Sequence, residues 1–120
     1  MKTLTHYATI NDFITKDGSH IRELMHPSQH AASHQSLAEA IVPANTETHL
    51  HKHTLSEEIY HITQGEGLMT LDKDQFSVIC GDTICIQPGL AHKIKNTGTV
   101  DLKILCCCSP PYSHDDTALL

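Results

Sequence analysis

Along most of the chain, hydrophobic and polar residues alternate in short runs, which is the pattern of β-strands that bury one face. From residue 36 onward these runs recur at short spacing, with turn residues between them. The pattern predicts eight strands, at residues 36–42, 47–53, 57–63, 67–71, 75–80, 83–86, 92–96 and 100–107. Short, evenly spaced strands without a long amphipathic helix predict an all-β antiparallel sandwich or jelly roll.

The flanking segments are less regular, and they set the predicted boundaries of the barrel. Residues 1–35 are interpreted as an N-terminal arm that packs on the barrel or on a partner protomer, in which 21–25 alternate like a strand. The barrel is placed at residues 36–112, and residues 113–120 are interpreted as a tail packed outside it or on a partner. A length of 120 residues suits a single domain.

One stretch in the middle of the chain combines histidines with a carboxylate. In an extended strand alternate side chains share a face, so His49, His51 and His53 project to the same side. In a second strand after a short connection, Glu58 and Tyr60 share one face, and a hairpin can set Glu58 opposite the histidines. Two imidazoles and a carboxylate, joined by another imidazole, suit Fe, Mn, Ni, Cu or Zn, whereas an all-oxygen site selects Mg or Ca.

The additional imidazole is that of His92. It follows a strand of alternating character and a turn at Pro88 and Gly89, and it stands at the start of the next predicted strand. The sequence therefore predicts one divalent transition metal per chain, bound by imidazoles from the stretch with His49, His51 and His53 together with Glu58 and His92.

The spacing of these residues resembles the two motifs of the cupin superfamily. The first motif, HxH followed by Glu and then Gly, is matched by His51, His53, Glu58 and Gly65. The second, Gly followed by PxG, His and Asn, is matched by Gly81, Gly89, His92 and Asn96. The resemblance implies a small, single-domain, metal-binding cupin whose barrel is a double-stranded β-helix, or jelly roll. It implies that the metal ligands are His51, His53, Glu58 and His92. It also implies a homodimer in which the N-terminal strand pairs with the second protomer.

Two positions depart from these motifs. Asn45 stands where the first motif usually opens with Gly, a mild change because Asn tolerates the left-handed backbone conformation better than other residues with side chains. Gln87 stands where the second motif commonly has Pro. This second departure leaves the chemistry of the following Pro-Gly turn intact.

Three neighbouring residues have other interpretations. His49 shares the metal-binding face but falls outside the family motif, so we expect it to line the mouth of the pocket. His61 has the opposite parity from Glu58 and is expected at the surface or an interface. Tyr60 is either a core tyrosine with a hydrogen-bonded hydroxyl or a general acid/base beside the metal. Because some metal-dependent cupins that perform β-elimination place a tyrosine here, Tyr60 is the candidate catalytic residue.

The five cysteines, an odd number, indicate a reduced compartment. Cys106, Cys107 and Cys108 are adjacent, and neighbours in a strand point to opposite faces, which makes them poor disulfide partners. Cys106 and Cys108 share a face and are interpreted as core residues, with a thiolate ligand to the metal as the alternative. Since residues 1–7 lack the apolar stretch of a signal peptide, we expect a cytoplasmic protein.

Charge and composition exclude two classes of partner. A formal net charge of −6 with 8 Lys and Arg leaves no basic face for nucleic acid. No stretch approaches the ~18 continuous apolar residues of a membrane span. The expected partner is a small molecule, either neutral or a carboxylate. A phosphorylated sugar is disfavoured unless Lys93, Lys95 or the partner's Arg22 reaches the site, because the chain has no other Arg.

The predicted ligand set does not name a reaction. The resemblance implies several activities, because sugar-phosphate isomerases, dioxygenases, oxalate-type decarboxylases and β-elimination lyases share these ligands. With four protein ligands, an octahedral ion keeps two positions open for substrate. We therefore expect a metalloenzyme acting on a small oxygenated or carboxylate metabolite. The alternatives are a non-catalytic binding or sensor module and a closed structural metal site.

Overall fold

The computed structural model describes residues 2–120, and Met1, the first residue of the predicted arm, lies outside them. One turn of 3-10 helix, Tyr7–Thr9, precedes the strands. The strands of the described residues are β1 Phe13–Ile14, β2 His20–Met25, β3 Ser36–Val42, β4 His51–His53, β5 Glu57–Gln64, β6 Glu66–Leu71, β7 Asp74–Ile79, β8 Thr83–Ile86, β9 His92–Asn96, β10 Leu102–Ser109 and β11 Thr117–Leu119. No helix in this part of the chain is long and apolar enough to cross a membrane.

The strands form two antiparallel sheets. The six-stranded sheet has the order β1-β2-β3-β10-β5-β8, and the five-stranded sheet has the order β11-β4-β9-β6-β7. From β3 to β11, every connection except the β6–β7 hairpin carries the chain from one sheet to the other. Such repeated crossing between two antiparallel layers is the topology of a jelly roll. The predicted all-β, single-domain fold is confirmed.

The hydrophobic core lies between the sheets and is built from alternate residues of each strand. Ile62 of β5 and Ile104 of β10 share one cluster with Met69 of β6 and Ile94 of β9, and all four are at most 1% exposed. Fully burying a side chain of this size stabilises the fold by ~1.5–3 kcal/mol. Beside this cluster the buried positions become polar, and they include the histidines of β4 and β9.

The predicted strand boundaries agree with β3, β8 and β9 and differ most at β4. The prediction began this strand at residue 47, whereas β4 spans His51–His53. Thr48 instead exchanges two hydrogen bonds with the backbone of Ile94, and His49 donates its backbone N–H to the carbonyl of Asp17. Because these groups are paired elsewhere, the strand ladder is short.

Both terminal segments join the sheets. β1 and β2 form a hairpin whose second strand pairs with β3. The tail, which was expected outside the barrel, supplies the edge strand β11, and this strand pairs with β4. The turn between β1 and β2, at residues 15–19, contacts the segment before β4 through the hydrogen bond from the His49 N–H to the Asp17 carbonyl. Packing of the arm on a partner protomer stays a prediction.

Two asparagines of the motif regions have a structural role in the backbone. Asn45 has a φ of 65°, the left-handed conformation in which Gly is usual and Asn is tolerated. Asn96 is 2% exposed, and its amide donates to the carbonyls of Val42 and Val100. Its side-chain oxygen accepts from the Gly98 N–H. Asn96 therefore joins the end of β3 to the turn that follows β9, instead of facing the cleft between the sheets.

Candidate metal centre

Three histidines converge between the sheets, and we call them the histidine triad. His51 and His53 lie two residues apart on β4, and His92 begins β9 directly across the ladder from His51. Strand alternation puts both β4 histidines on one face, and the pairing of β4 with β9 adds His92 to that face. All three side chains are buried, and their potential ligand atoms lie within 4.8 Å of one another.

Backbone carbonyls orient two rings of the triad. His51 Nδ1 lies 2.7 Å from the carbonyl oxygen of His49, and His92 Nδ1 lies 3.0 Å from that of Leu90. A carbonyl oxygen only accepts hydrogen bonds, so each neutral ring carries its proton on Nδ1. The Nε2 lone pairs of both rings are therefore free.

A strand from the far end of the chain orients the third ring. His53 Nδ1 lies 3.1 Å from the hydroxyl of Thr117, which donates its own proton to the carbonyl of Ser113. The hydroxyl oxygen therefore accepts from His53 Nδ1–H, and in the neutral ring Nε2 is unprotonated. Partners of this kind on the second ring nitrogen are typical of metal-binding histidines.

Glu58 brings a carboxylate to the triad from the opposite sheet. Its Oε1 lies 3.2 Å from His53 Nε2 and 3.5 Å from His92 Nε2. Neither contact has the alignment of a hydrogen bond, so Glu58 Oε1 and His92 Nε2 are buried without a partner among residues 2–120. Each orphaned group of this kind costs ~1–3 kcal/mol. Adjacent donors bound at ~2.0–2.2 Å to one ion lie ~2.8–3.1 Å apart in an octahedral site and ~3.3–3.6 Å apart in a tetrahedral one, so both contacts have the spacing of atoms that share a metal ion.

A thiol holds the other carboxylate oxygen of Glu58. Cys108 Sγ donates to Glu58 Oε2 at 3.2 Å. Burial, and then the charge of Glu58, raises the pKa of Cys108 far above its ordinary value, so the side chain keeps its proton. Burial likewise raises the pKa of Cys106. Cys108 therefore orients Glu58, a role that its interpretation as a core residue missed.

The contact between Glu58 and His53 favours a proton on His53, at the position where a metal ion would bind. Burial acts to raise the pKa of Glu58, but the contacts with His53 and His92 outweigh burial and lower that pKa to about 2. Burial acts to lower the pKa of His53, but the contact with Glu58 and its charge raise it. The pKa of His51 is lowered by burial and by the neighbouring His92. A metal ion would therefore compete with a proton on His53.

Tyr60 stands beside the triad, two positions after Glu58 on β5. Its ring centroid lies 6.1 Å from that of His92 in an edge-to-face arrangement. Within the described residues its hydroxyl makes no hydrogen bond, and the side chain lines the cleft described below. Burial, and then the charge of Glu58, raises the pKa of Tyr60 well above its ordinary value. The phenol therefore keeps its proton and is available as a hydrogen-bond donor to a ligand.

The triad opens on a cleft of about 510 Å³, a volume that includes space open to solvent. Its walls include apolar side chains from β2 and β3 and the carboxylates of Asp17, Glu23 and Glu58. No Lys or Arg of residues 2–120 lines the cleft. The space next to the triad is therefore acidic.

The cationic side chains considered for phosphate binding all lie away from the cleft. Arg22 donates to the Ile10 carbonyl at 2.8 Å and to the Tyr7 hydroxyl at 2.7 Å. Lys93 lies 3.2 Å from the carboxylate of Glu47. Lys95 is exposed on the outer face of its sheet. A phosphorylated substrate would meet no cationic side chain of the described residues in the cleft.

Sequence reasoning missed three residues around the triad. Asp17 Oδ2 lies 3.6 Å from His51 Nε2, although the sequence offers Asp17 only as part of an Asp-Gly turn. Tyr112 lines the cleft, its ring centroid 5.9 Å from that of His53, and burial raises its pKa to about 12. Thr117 is the hydroxyl partner described above. No local pattern marks any of them, since each arrives through pairing of distant segments.

His49 and His61 lie outside the triad. His49 is exposed, and its ring packs against Gly18, so it supports the site with its carbonyl. The ring of His61 lies 2.8 Å from the Thr83 hydroxyl at the surface. These positions agree with the parity argument for His61, and they give His49 a backbone role that the sequence does not suggest.

A known family shares this architecture. The family model described as the cupin domain matches residues 38–108, more than half of the chain. The chain belongs to the cupin family. This cupin is 60% identical to an uncharacterized protein of Methanocaldococcus jannaschii over 116 residues, which are 97% of this chain and 93% of the other.

Two other similar proteins have names that state a function. The cupin is 36% identical over 64 residues, 53% of each chain, to the oxalate-binding protein of Thermotoga maritima. Its fold superposes on Pac13 of Streptomyces, a nucleoside dehydratase, with a TM-score of 0.80 over 100% of this chain and 92% of that chain. The sequence identity to Pac13 is 12%, so this likeness shows the shared fold alone.

Proposed function

We propose that this cupin is an enzyme that uses a divalent metal ion, held by His51, His53, Glu58 and His92, to act on a small oxygenated metabolite. The observation that carries the proposal is the pair of buried, unpartnered atoms Glu58 Oε1 and His92 Nε2. Buried polar atoms normally have hydrogen-bond partners. These two atoms lie 3.5 Å from one another, and Glu58 Oε1 lies 3.2 Å from His53 Nε2. One cation between them would satisfy all three atoms.

The residues around the ion have separate roles. Imidazole and carboxylate ligands favour Fe, Mn, Ni, Cu or Zn, and an ion of this kind supplies Lewis-acid chemistry at a substrate oxygen. Tyr60 donates a hydrogen bond to the substrate where negative charge develops. The apolar side chains of Ile21, Ala38 and Ala40 line the cleft and limit its water, which strengthens both interactions.

The lining of the cleft favours a neutral substrate over a carboxylate. Asp17, Glu23 and Glu58 face a cleft without Lys or Arg. Burial raises the pKa of Glu23, but even with Glu23 protonated, the other two carboxylates balance a divalent ion. A dianion would therefore meet no net positive charge, whereas a hydroxyl or carbonyl compound avoids this penalty.

Metal content tests the ligand set. The protein is purified without a His-tag or chelating column, and its metal is measured for the wild type, Glu58→Gln and Glu57→Gln. Glu57 is the neighbouring carboxylate on the exposed face of β5, so its variant is the matched control. We expect near-stoichiometric metal in the wild type and in Glu57→Gln and a marked loss in Glu58→Gln. Equal metal in all three proteins would remove Glu58 from the ligand set.

Turnover tests the enzymatic part of the proposal. Non-catalytic binding is the alternative, and the name of the Thermotoga maritima relative favours it. Metal-loaded protein is screened against neutral hydroxyl and carbonyl compounds for product formation and for a ligand-dependent rise in thermal midpoint. Product formation that requires the metal supports an enzyme. A rise in midpoint without product supports the binding module.

A further inference from the structure

We propose that Asp17 is an additional ligand of the same metal ion, contributed by the turn between β1 and β2. The inference rests on the metal site proposed above and extends its donors to three imidazoles and two carboxylates. Neither of the two sequence motifs contains this residue. The argument comes from where its two carboxylate oxygens lie.

Asp17 faces the member of the triad that Glu58 does not contact. Its Oδ2 lies 3.6 Å from His51 Nε2, whereas Glu58 Oε1 lies against His53 and His92. Because the backbone holds the proton of His51 on Nδ1, a carboxylate oxygen faces a nitrogen lone pair. Two such atoms repel one another unless a cation lies between them. Adjacent donors bound at ~2.0–2.2 Å lie ~2.8–3.1 Å apart on an octahedral ion, so the two atoms would move together by about 0.5 Å on a shared ion.

The carboxylate of Asp17 is fixed in this orientation. Its Oδ1 accepts three hydrogen bonds, from the Thr15 hydroxyl at 2.7 Å, the Ser19 hydroxyl at 2.7 Å and the Ser19 N–H at 2.9 Å. The carbonyl of Asp17 accepts from the His49 N–H at 2.7 Å, which ties the turn to the segment before β4. One oxygen is therefore fully used by the turn, and the other is left for a ligand. Capping of the turn alone does not require that second oxygen to face His51.

A second carboxylate changes what the site can bind. Two carboxylates neutralise a divalent ion, and five protein donors leave one position of an octahedral ion open instead of two. A substrate would then bind through a single neutral oxygen. A bidentate anion such as oxalate could bind only by displacing Asp17.

Cobalt binding tests the assignment without a substrate. Co²⁺ is titrated into the metal-free wild type and Asp17→Asn, with calorimetry for affinity and the visible absorption spectrum for the number and type of donors. Asparagine keeps the oxygen that accepts from Thr15 and Ser19 but replaces Oδ2 with an amide nitrogen. We expect Asp17→Asn to bind Co²⁺ at least ~10-fold more weakly and to show a changed spectrum. Wild-type affinity together with an unchanged spectrum would overturn the inference.

Two variants separate coordination from a general effect of charge. Asp12→Asn removes a carboxylate that also lies near a histidine, 3.5 Å from His20 Nδ1, but on an exposed surface. Glu23→Gln removes a carboxylate from the cleft itself. Both are expected to keep the wild-type cobalt spectrum. A loss of affinity in Glu23→Gln as large as that in Asp17→Asn would reduce Asp17 to a through-space charge and overturn its role as a ligand.

Thermal unfolding supplies a readout whose sign distinguishes a ligand from a structural residue. In chelator, Asp17→Asn should unfold at or above the wild-type temperature, because the amide removes the repulsion with His51. With Co²⁺ the wild type should gain more than the variant. A lower midpoint in chelator and an equal gain with Co²⁺ would make Asp17 a structural residue of the turn.

Two further variants keep the inference falsifiable. His51→Ala separates it from the proposed function: if Asp17→Asn binds Co²⁺ normally and His51→Ala does not, the metal site stands without Asp17. If both bind normally, the metal site itself is wrong. Should Asp17→Asn fail to fold, Ser19→Ala, which frees the carboxylate, replaces it. A several-fold loss of Co²⁺ affinity in Ser19→Ala supports the inference, and an unchanged affinity overturns it.

Discussion

His53 and Thr117 are joined by a hydrogen bond of 3.1 Å between the ring Nδ1 and the hydroxyl. The hydroxyl donates its own proton to the Ser113 carbonyl at 2.8 Å, so it can only accept from the ring. A residue of the C-terminal strand thereby decides which nitrogen of a central histidine faces the triad. Metal affinity should therefore depend on Thr117, although this residue acts through His53 and is not itself a proposed ligand.

Replacing Thr117 with Val, which has nearly the same shape and no hydroxyl, should weaken metal affinity by ~10–100-fold. The reason is that His53 then loses the acceptor that keeps its proton on Nδ1. Thr117→Ser keeps the hydroxyl and should retain the affinity. Thr46→Val serves as the control, because the Thr46 hydroxyl is exposed and donates to the carbonyl of Pro43, away from the triad. Equal affinity in Thr117→Val and Thr117→Ser would contradict the prediction.

Metal binding should release a proton from His53. Glu58 raises the pKa of His53 above the ordinary value of ~6.5, so at pH 6.5 more than half of the metal-free molecules carry this proton. Ion and proton compete for the same Nε2, so affinity should rise with pH through the raised pKa and then level off. Calorimetry in buffers of different ionisation enthalpy counts the protons. Release of less than ~0.5 proton per ion at pH 6.5 would count against this account.

Tyr60→Phe should separate chemistry from metal binding. Among residues 2–120 the Tyr60 hydroxyl has no hydrogen-bond partner, so its removal should change stability by less than ~1 kcal/mol and leave metal content intact. If the phenol donates its proton to the substrate, turnover should fall by ~10²–10⁴-fold. The measurements are metal content, thermal midpoint and turnover on one protein preparation. Full turnover in Tyr60→Phe would return this residue to the core interpretation.

Oxalate should bind the metal-loaded wild type weakly, in contrast to the name of the Thermotoga maritima relative. Removing one negative charge from the cleft in Asp17→Asn should raise oxalate affinity by about fivefold, which is ~1 kcal/mol of charge interaction. Glu57 lies on the outer face of its sheet, so Glu57→Gln should leave the oxalate affinity unchanged. Calorimetry at constant ionic strength measures the three dissociation constants. Tight oxalate binding by the wild type would show that the acidic lining does not govern ligand choice.

The fold and part of the site were predictable because the signals are local. The alternation of β3, β8 and β9 reports the burial of each strand by itself, and these bounds agree with the structure. Strand parity placed the histidines of one strand on a single face, with Glu58 opposite them, and the turn before His92 added a further imidazole. The motif resemblance then selected His51 and His53 as ligands. The structure brings these four side chains together, and their binding of an ion stays a prediction.

The remaining residues of the site depend on which strands pair, and periodicity carries no such information. Asp17 reaches His51 through the hairpin of the N-terminal arm and its bond to His49. Thr117 reaches His53 because β11 pairs with β4. The sequence marked these two only as a turn residue and a tail residue. Their contacts appear once the tertiary pairing is known.

The proposed ligands are divided between the two layers of the barrel. The triad belongs to the five-stranded sheet through β4 and β9, whereas Glu58 belongs to the six-stranded sheet through β5. An ion shared by these residues would act as a cross-link between the sheets, at the point where polar side chains replace the packed core. Local separation of the layers would then require release of the ion. Amide hydrogens of β4 and β5 should accordingly exchange with solvent more slowly in the loaded protein, and the sheets should part no faster than the ion leaves.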